Sequence, residues 1–266
     1  MLFRSNDIID HMSTHEPLLD LLSAASSVSR YLMAHMVNVS IYSMRVGVEM
    51  SLKQEDVLDV GIGGLLADIG MLLVPAGLWT SRKDLQLTAR DQVQRHCELG
   101  YQLLKETPGI KEEWRIPALQ HHERLNGSGY PFGIAEDKIA LSSRIVMITD
   151  VYDALTSERT YRHANFPDVA MKQILGSPDV YDRRVAQTFC KSMGFYPEGY
   201  SVKLSTGERA LVIRSNPRNA FRPLVRIMTD TRGEEIPPDG RLELDLTGRL
   251  DLSIVEISNR RYAQMM

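Results

Sequence analysis

A chain of 266 residues can bury a core without disulfide or metal staples and has room for one or two domains. Hydrophobic residues at 43% and charged residues at 24% fit a soluble globular protein and exclude a disordered or fibrous one. A net charge of −3 argues against bulk electrostatic binding to DNA, and two cysteines, Cys97 and Cys190, are too few for a disulfide framework and point to a reducing compartment.

The N-terminus, MLFRSNDIIDHM, carries no apolar signal-peptide core, so a cytoplasmic location is expected. Residues 1–29 read as a helical extension in which Pro17 to Val28 packs on its own bundle or on a second copy. Met33, Met36, Met44 and Met50 read as adaptable filler of a helix pair. Ser51 with Gln54 has the spacing of a capping box, followed by Val57, Leu58, Gly61 and Leu65 at helical spacing. Residues Val60 to Trp79 carry a single charge, Asp68, over a length that would span a bilayer. Interior glycines, Pro75 and a lone central acid make it a buried core segment with a functional acid, and no membrane association is expected.

Thr88 with Asp91 opens a helix leading to His96 and Tyr101, which Thr107-Pro108-Gly109 breaks. A further helix is predicted over 112–123, a glycine-rich loop over 126–133, and an apolar helix over 141–155 with Asp150 and Asp153 on one face. The last predicted helix covers 179–195. Beyond Gly199 short β-prone runs (201–204, 210–213, 224–228) alternate with turn clusters, the pattern of a small β module.

His121 and His122 are adjacent and followed by Glu123. On a continuous helix neighbouring residues diverge by about 100°, so both reach one site only if other elements share it. Taken alone, such a pair more often holds one capping and one exposed imidazole. The context is more specific. HHERLNGSGYP resembles the signature of the HD-GYP family, LLADIGMLLVP its His-Asp segment and RIVMITDVYDALTSERTYR its third block. The tail YPEGYSVKLSTGERALVI is similar to what commonly follows that domain.

The resemblance implies a mainly α fold, an HD-type helical bundle over 30–198 followed by a small C-terminal β module over 199–266. It implies hydrolysis of cyclic di-GMP to pGpG or GMP at a site with two or three divalent metals, commonly iron or manganese. Such chemistry profits from cations that activate water and neutralise developing charge. The metal positions it implies are His35, Asp68, His96, His121, His122 and Asp150, with Asp68 also the catalytic residue that bridges metals. Tyr130, Asp153, Arg159 and Arg162 fall where members contact cyclic di-GMP. Paired guanidiniums suit a ligand with two phosphates. The plain reading of the two arginines is a solvated helix face with ion pairs to Glu158 or Asp153. His11, His15 and His163 match no metal position. Cys97 reads as a small buried residue, and Glu123 as a group that holds one of the paired histidines.

Three positions depart from the family pattern: Ala67 stands for the histidine of the His-Asp pair, Met71 for the lysine after it, and Tyr31 for an acid upstream of His35. Asn126, for an aspartate, is a milder change. Ala67 offers no lone pair, which leaves one metal with Asp68, Asp150 and His35 at most, and the other with Asp68, His96 and the histidine pair. The expectation is a protein that binds cyclic di-GMP and metal with impaired or lost phosphodiesterase activity, the metal sites being reduced in number or absent. The alternatives are a working phosphodiesterase and a scaffold that binds no nucleotide. The GYP loop is an expected docking surface for a protein partner, with a GGDEF-type cyclase as the family-style guess; oligomeric state is left open.

Overall fold

The computed structural model describes residues 30–79, 87–157, 164–216 and 219–261. Arg159, Arg162, His11, His15, His163 and the stretch Pro17 to Val28 lie outside the described residues.

Helix α1 (Arg30–Glu49) buries Leu32, His35, Met36, Val39, Ser43 and Val46, a three- and four-residue spacing that turns one face to the core. Helix α2 (Gln54–Leu66) packs on it, with the Ser40 hydroxyl donating to Gly61 O at 2.7 Å. The expected capping box does not form. Ser51 lies in the left-handed region (φ 59°) and its N–H donates to Val48 O, closing the turn after α1. The residue before α2 is Lys53, which gives no side-chain cap.

The apolar run through Asp68 is divided between the end of α2, a 3-10 turn (Ile69–Leu73) and the short α3 (Ala76–Trp79). Val60, Leu66, Ile69 and Val74 are buried, as expected of a core segment. Among the described residues no helix is long and apolar enough to cross a membrane.

The helix expected after Thr88 is two, α4 (Leu87–Gln94) and α5 (His96–Glu106), parted at Arg95. Helix α6 (Glu112–Gln120) stops three residues short of expectation. Helix α7 (Leu141–Thr156) is buried almost all round and forms the axis of the bundle. Its Ile145, Met147, Ile148 and Tyr152 pack with residues of α8 (Pro167–Leu175) and α9 (Arg183–Met193), notably Met171, Ile174, Val185 and Phe189. Asp182 caps α9, accepting from Arg184 N and Val185 N, so that helix begins later than position 179.

The β module is one antiparallel sheet in the order β4-β3-β2-β1-β5: β1 (Tyr200–Leu204), β2 (Arg209–Arg214), β3 (Leu224–Ile227), β4 (Glu243–Asp245) and β5 (Ile254–Arg261). Alternate residues Val202, Leu204, Ala210, Val212 and Val225 fill its core. Phe166 and Tyr196 pack against that core from the helical side, and Phe195 stacks on Phe221 at 4.2 Å. A helical bundle followed by a small antiparallel sheet is the architecture expected.

Candidate metal centre

Five elements bring their side chains to one buried point. Helix α1 supplies His35, the break after α2 supplies Asp68, the start of α5 supplies His96, the end of α6 supplies His121 and His122, and α7 supplies Asp150. The break at Asp68 is fixed by a backbone contact. A Cβ on Gly70 would stand 2.0 Å from His96 O, so only glycine lets the turn close against α5 and set Asp68 beside His96. The histidine pair sits at the C-terminal end of α6, with His121 its C-cap, and the two rings lie 4.1 Å apart, centroid to centroid.

Two donor groups share Asp68: Asp68, His96, His121 and His122 in one, His35, Asp68 and Asp150 in the other. In the first, the Nδ1 atoms of His96 and His121 face backbone carbonyls, Val93 O and Pro117 O, each at 2.8 Å. Donation there leaves each ring its Nε2 for the centre. The two Nε2 atoms stand 3.4 Å apart, and 3.3 and 3.6 Å from Asp68 Oδ1. With metal–ligand bonds of about 2.1 Å, neighbouring ligands stand about 3.0–3.4 Å apart; the 3.3 and 3.4 Å separations fit a first-row divalent ion, and the 3.6 Å one would close slightly on binding. The donor set of imidazoles with one carboxylate fits it too.

In the second group His35 Nε2 lies 2.9 Å from Asp150 Oδ1 and 3.1 Å from Asp68 Oδ2. Its Nδ1–H donates to Asp153 Oδ2 at 2.6 Å, and the other oxygen of Asp153 accepts from Asn38 Nδ2 at 2.8 Å. Among the described residues one imidazole, His35, serves this group. Ala67 is 3% exposed and packs with Val39 and Val146 in a small apolar cluster, where the family pattern has a histidine.

The electrostatics follow from burial and neighbours. Burial pushes Asp68 up, yet hydrogen bonds from His121 and His35 hold it well below the carboxylate range. Burial also opposes the ionisation of Asp150, which the His35 hydrogen bond outweighs, lowering it. His96 is lowered by burial, and His122 is held well below the imidazole range by burial and by His121 beside it. For His121 and His35 burial is outweighed by their carboxylates, which raise both. A bound ion would displace those protons, since ligating imidazoles are neutral.

The GYP loop closes one side. Tyr130 stacks on His122 at 4.6 Å and meets His96 edge-on at 6.5 Å. Gly129 is pressed onto the backbone of Glu123, where a Cβ would stand 2.4 Å from its Cα. Glu123 is fully buried, and its Oε1 accepts from Phe132 N at 2.8 Å. The expected hold on a histidine is thus a hold on the loop. Asp153 is 1% exposed, and its two oxygens take His35 Nδ1 and Asn38 Nδ2. Met71 packs with Leu66 and Ile69 in an apolar cluster, and Tyr31 stacks on His35 at 5.7 Å. Cys97 is buried, as expected.

The HD domain family model matches residues 12–185, and a model described as a KOW domain associated with HD domain matches 201–265. The chain belongs to the HD domain family. Relatives of this HD domain protein include a cyclic di-GMP phosphodiesterase of Pseudomonas aeruginosa, 29% identical over 93% of this chain and 61% of the relative. A 3'3'-cGAMP-specific phosphodiesterase of Vibrio cholerae is 33% identical over 54% of this chain and 31% of its own. The chain thus spans about three fifths of the first relative and about a third of the second. Among solved structures, an HDG"Y"P protein of Bdellovibrio bacteriovorus shares the fold, with a TM-score of 0.52 and 20% identity over 63% of this chain and 55% of that one. Its HHERLNGSGYP segment resembles the HD-GYP signature, and Ala67-Asp68 stands where that pattern has a His-Asp pair.

Proposed function

We propose that this protein acts in bacterial cyclic di-GMP signalling in the cytoplasm, as a receptor that binds cyclic di-GMP and holds divalent iron or manganese but hydrolyses the nucleotide weakly or not at all. The observation that carries this reading is the contrast between the two halves of the centre. One half keeps three imidazoles and a shared carboxylate; the other has one imidazole and, at Ala67, a methyl sealed among valines. A divalent ion there would supply positive charge and water activation for phosphodiester cleavage. The chain's own part is to fix the donors: Val93 O and Pro117 O orient two rings, Asp68 joins the two groups, and Tyr130 walls the open side of His122. Losing a ligand costs at least the 10–100-fold typical of losing a supporting group, and Met71 brings no charge toward the phosphate. Arg159 and Arg162 are the proposed phosphate contacts and Tyr130 a base or phosphate contact.

The second reading, a working phosphodiesterase giving pGpG or GMP, is favoured by the retained sharing of Asp68 between two donor groups. Calorimetry of the full chain with cyclic di-GMP, with and without manganese, tests the receptor reading. It predicts saturable heat that the double variant Arg159→Ala/Arg162→Ala loses. No heat under either condition would leave only a scaffold role, with the GYP loop as its docking surface.

A further inference from the structure

We infer that Asn38 and Asp153 form a positioning pair for His35, and that the second donor group reaches its full affinity for a divalent ion only while that pair is intact. This rests on the reading of the centre as a metal site. His35 and Asn38 stand three residues apart on α1, and Asp150 and Asp153 three apart on α7, so each pair shares a helix face. The four side chains are linked in series between the two helices. Asp150 takes the Nε2 edge of the ring at 2.9 Å, Asp153 the Nδ1 edge at 2.6 Å, and Asn38 holds the second oxygen of Asp153 at 2.8 Å.

The consequence is chemical as well as geometric. With Nδ1–H committed to Asp153, the nitrogen left for an ion is Nε2, which already faces Asp68 and Asp150. A ring released from Asp153 is free to put its proton on Nε2 and to turn away. Ala67 contributes nothing, and among the described residues the next imidazole, His122, comes no nearer than 4.0 Å to Asp150 Oδ2. The first donor group has a different support, backbone carbonyls, and does not depend on the pair.

The test is a titration of metal-free full-length protein with manganese under anaerobic conditions, with free ion followed by electron paramagnetic resonance. The wild type should show a tighter and a looser class of site. Asn38→Ala and Asp153→Ala should weaken the looser class by about 10–100-fold and leave the tighter class unchanged. Asp153→Asn, which keeps an acceptor for Nδ1–H, should lose less. Asn38 is only half-buried, so Asn38→Ala carries the test if Asp153→Ala does not fold. Unchanged manganese binding in both variants, with weaker binding of cyclic di-GMP by Asp153→Ala, would overturn the pair and return Asp153 to nucleotide contact. A wild type with a single class of site overturns it too, while the metal reading stands. A wild type that takes up no manganese sinks both.

Discussion

Asp68 is the residue on which the centre turns. It lies within 3.1–3.6 Å of three imidazole nitrogens from three different elements, and both donor groups need it. Asp68→Asn keeps the shape and removes the charge, and should cut metal affinity by at least 10–100-fold. Elemental analysis after dialysis checks this, with circular dichroism expected to be unchanged. Every proposed metal ligand comes from the resemblance to the HD-GYP segments; the histidines and aspartates by themselves would not have singled out the set. Asn38 was not legible in the sequence, since an amide three residues after a histidine on a helix is common; only the shared helix face hinted at it. Glu123 and Asp153 read as site residues, but their partners do not show in the sequence: Phe132 N is brought back to Glu123 by the loop, and His35 and Asn38 reach Asp153 across the bundle.

The elements that position these residues are set by helix ends as much as by helix faces. Helix α2 stops before Asp68, and the histidine pair sits at the C-terminal end of α6. At α9 the end is made by Asp182, which accepts two backbone N–H groups and an Arg144 hydrogen bond at 3.0 Å. Asp182→Ala should cost about 1 kcal/mol. Burial pushes Asp182 up, but the N–H groups of α9 and Arg144 hold it below the ordinary aspartate value. Its stabilisation is therefore full above that ordinary value and fades as pH falls toward the folded one. Chemical denaturation should show the gap between wild type and variant at neutral pH and its closure in acid. Helix α7 and the first three strands were legible from apolar spacing. The Ser51 cap was misread because the same serine serves the preceding turn, and the β4 and β5 strands were missed. The first is three residues with acids at both ends, and the second runs into polar residues.

Across the molecule, the helical bundle and the β module are knitted by Phe195 on Phe221 and by Tyr196 and Phe166 under the sheet. The centre lies in the bundle, among α1, α5, α6 and α7 and the break after α2, so its competence is a property of the helices. The overall charge of −3 conceals a buried concentration of imidazoles and carboxylates that could hold a metal ion. The central claim is that a metal centre lacking the ligand at Ala67 binds cyclic di-GMP without turning it over at a useful rate. The direct measurement is turnover of cyclic di-GMP by anaerobically prepared full-length protein loaded with iron or manganese, with metal per chain determined on the same sample. We predict bound nucleotide, a single tightly held ion and hydrolysis that is weak or absent; two tightly held ions per chain with multiple-turnover release of pGpG or GMP would contradict it.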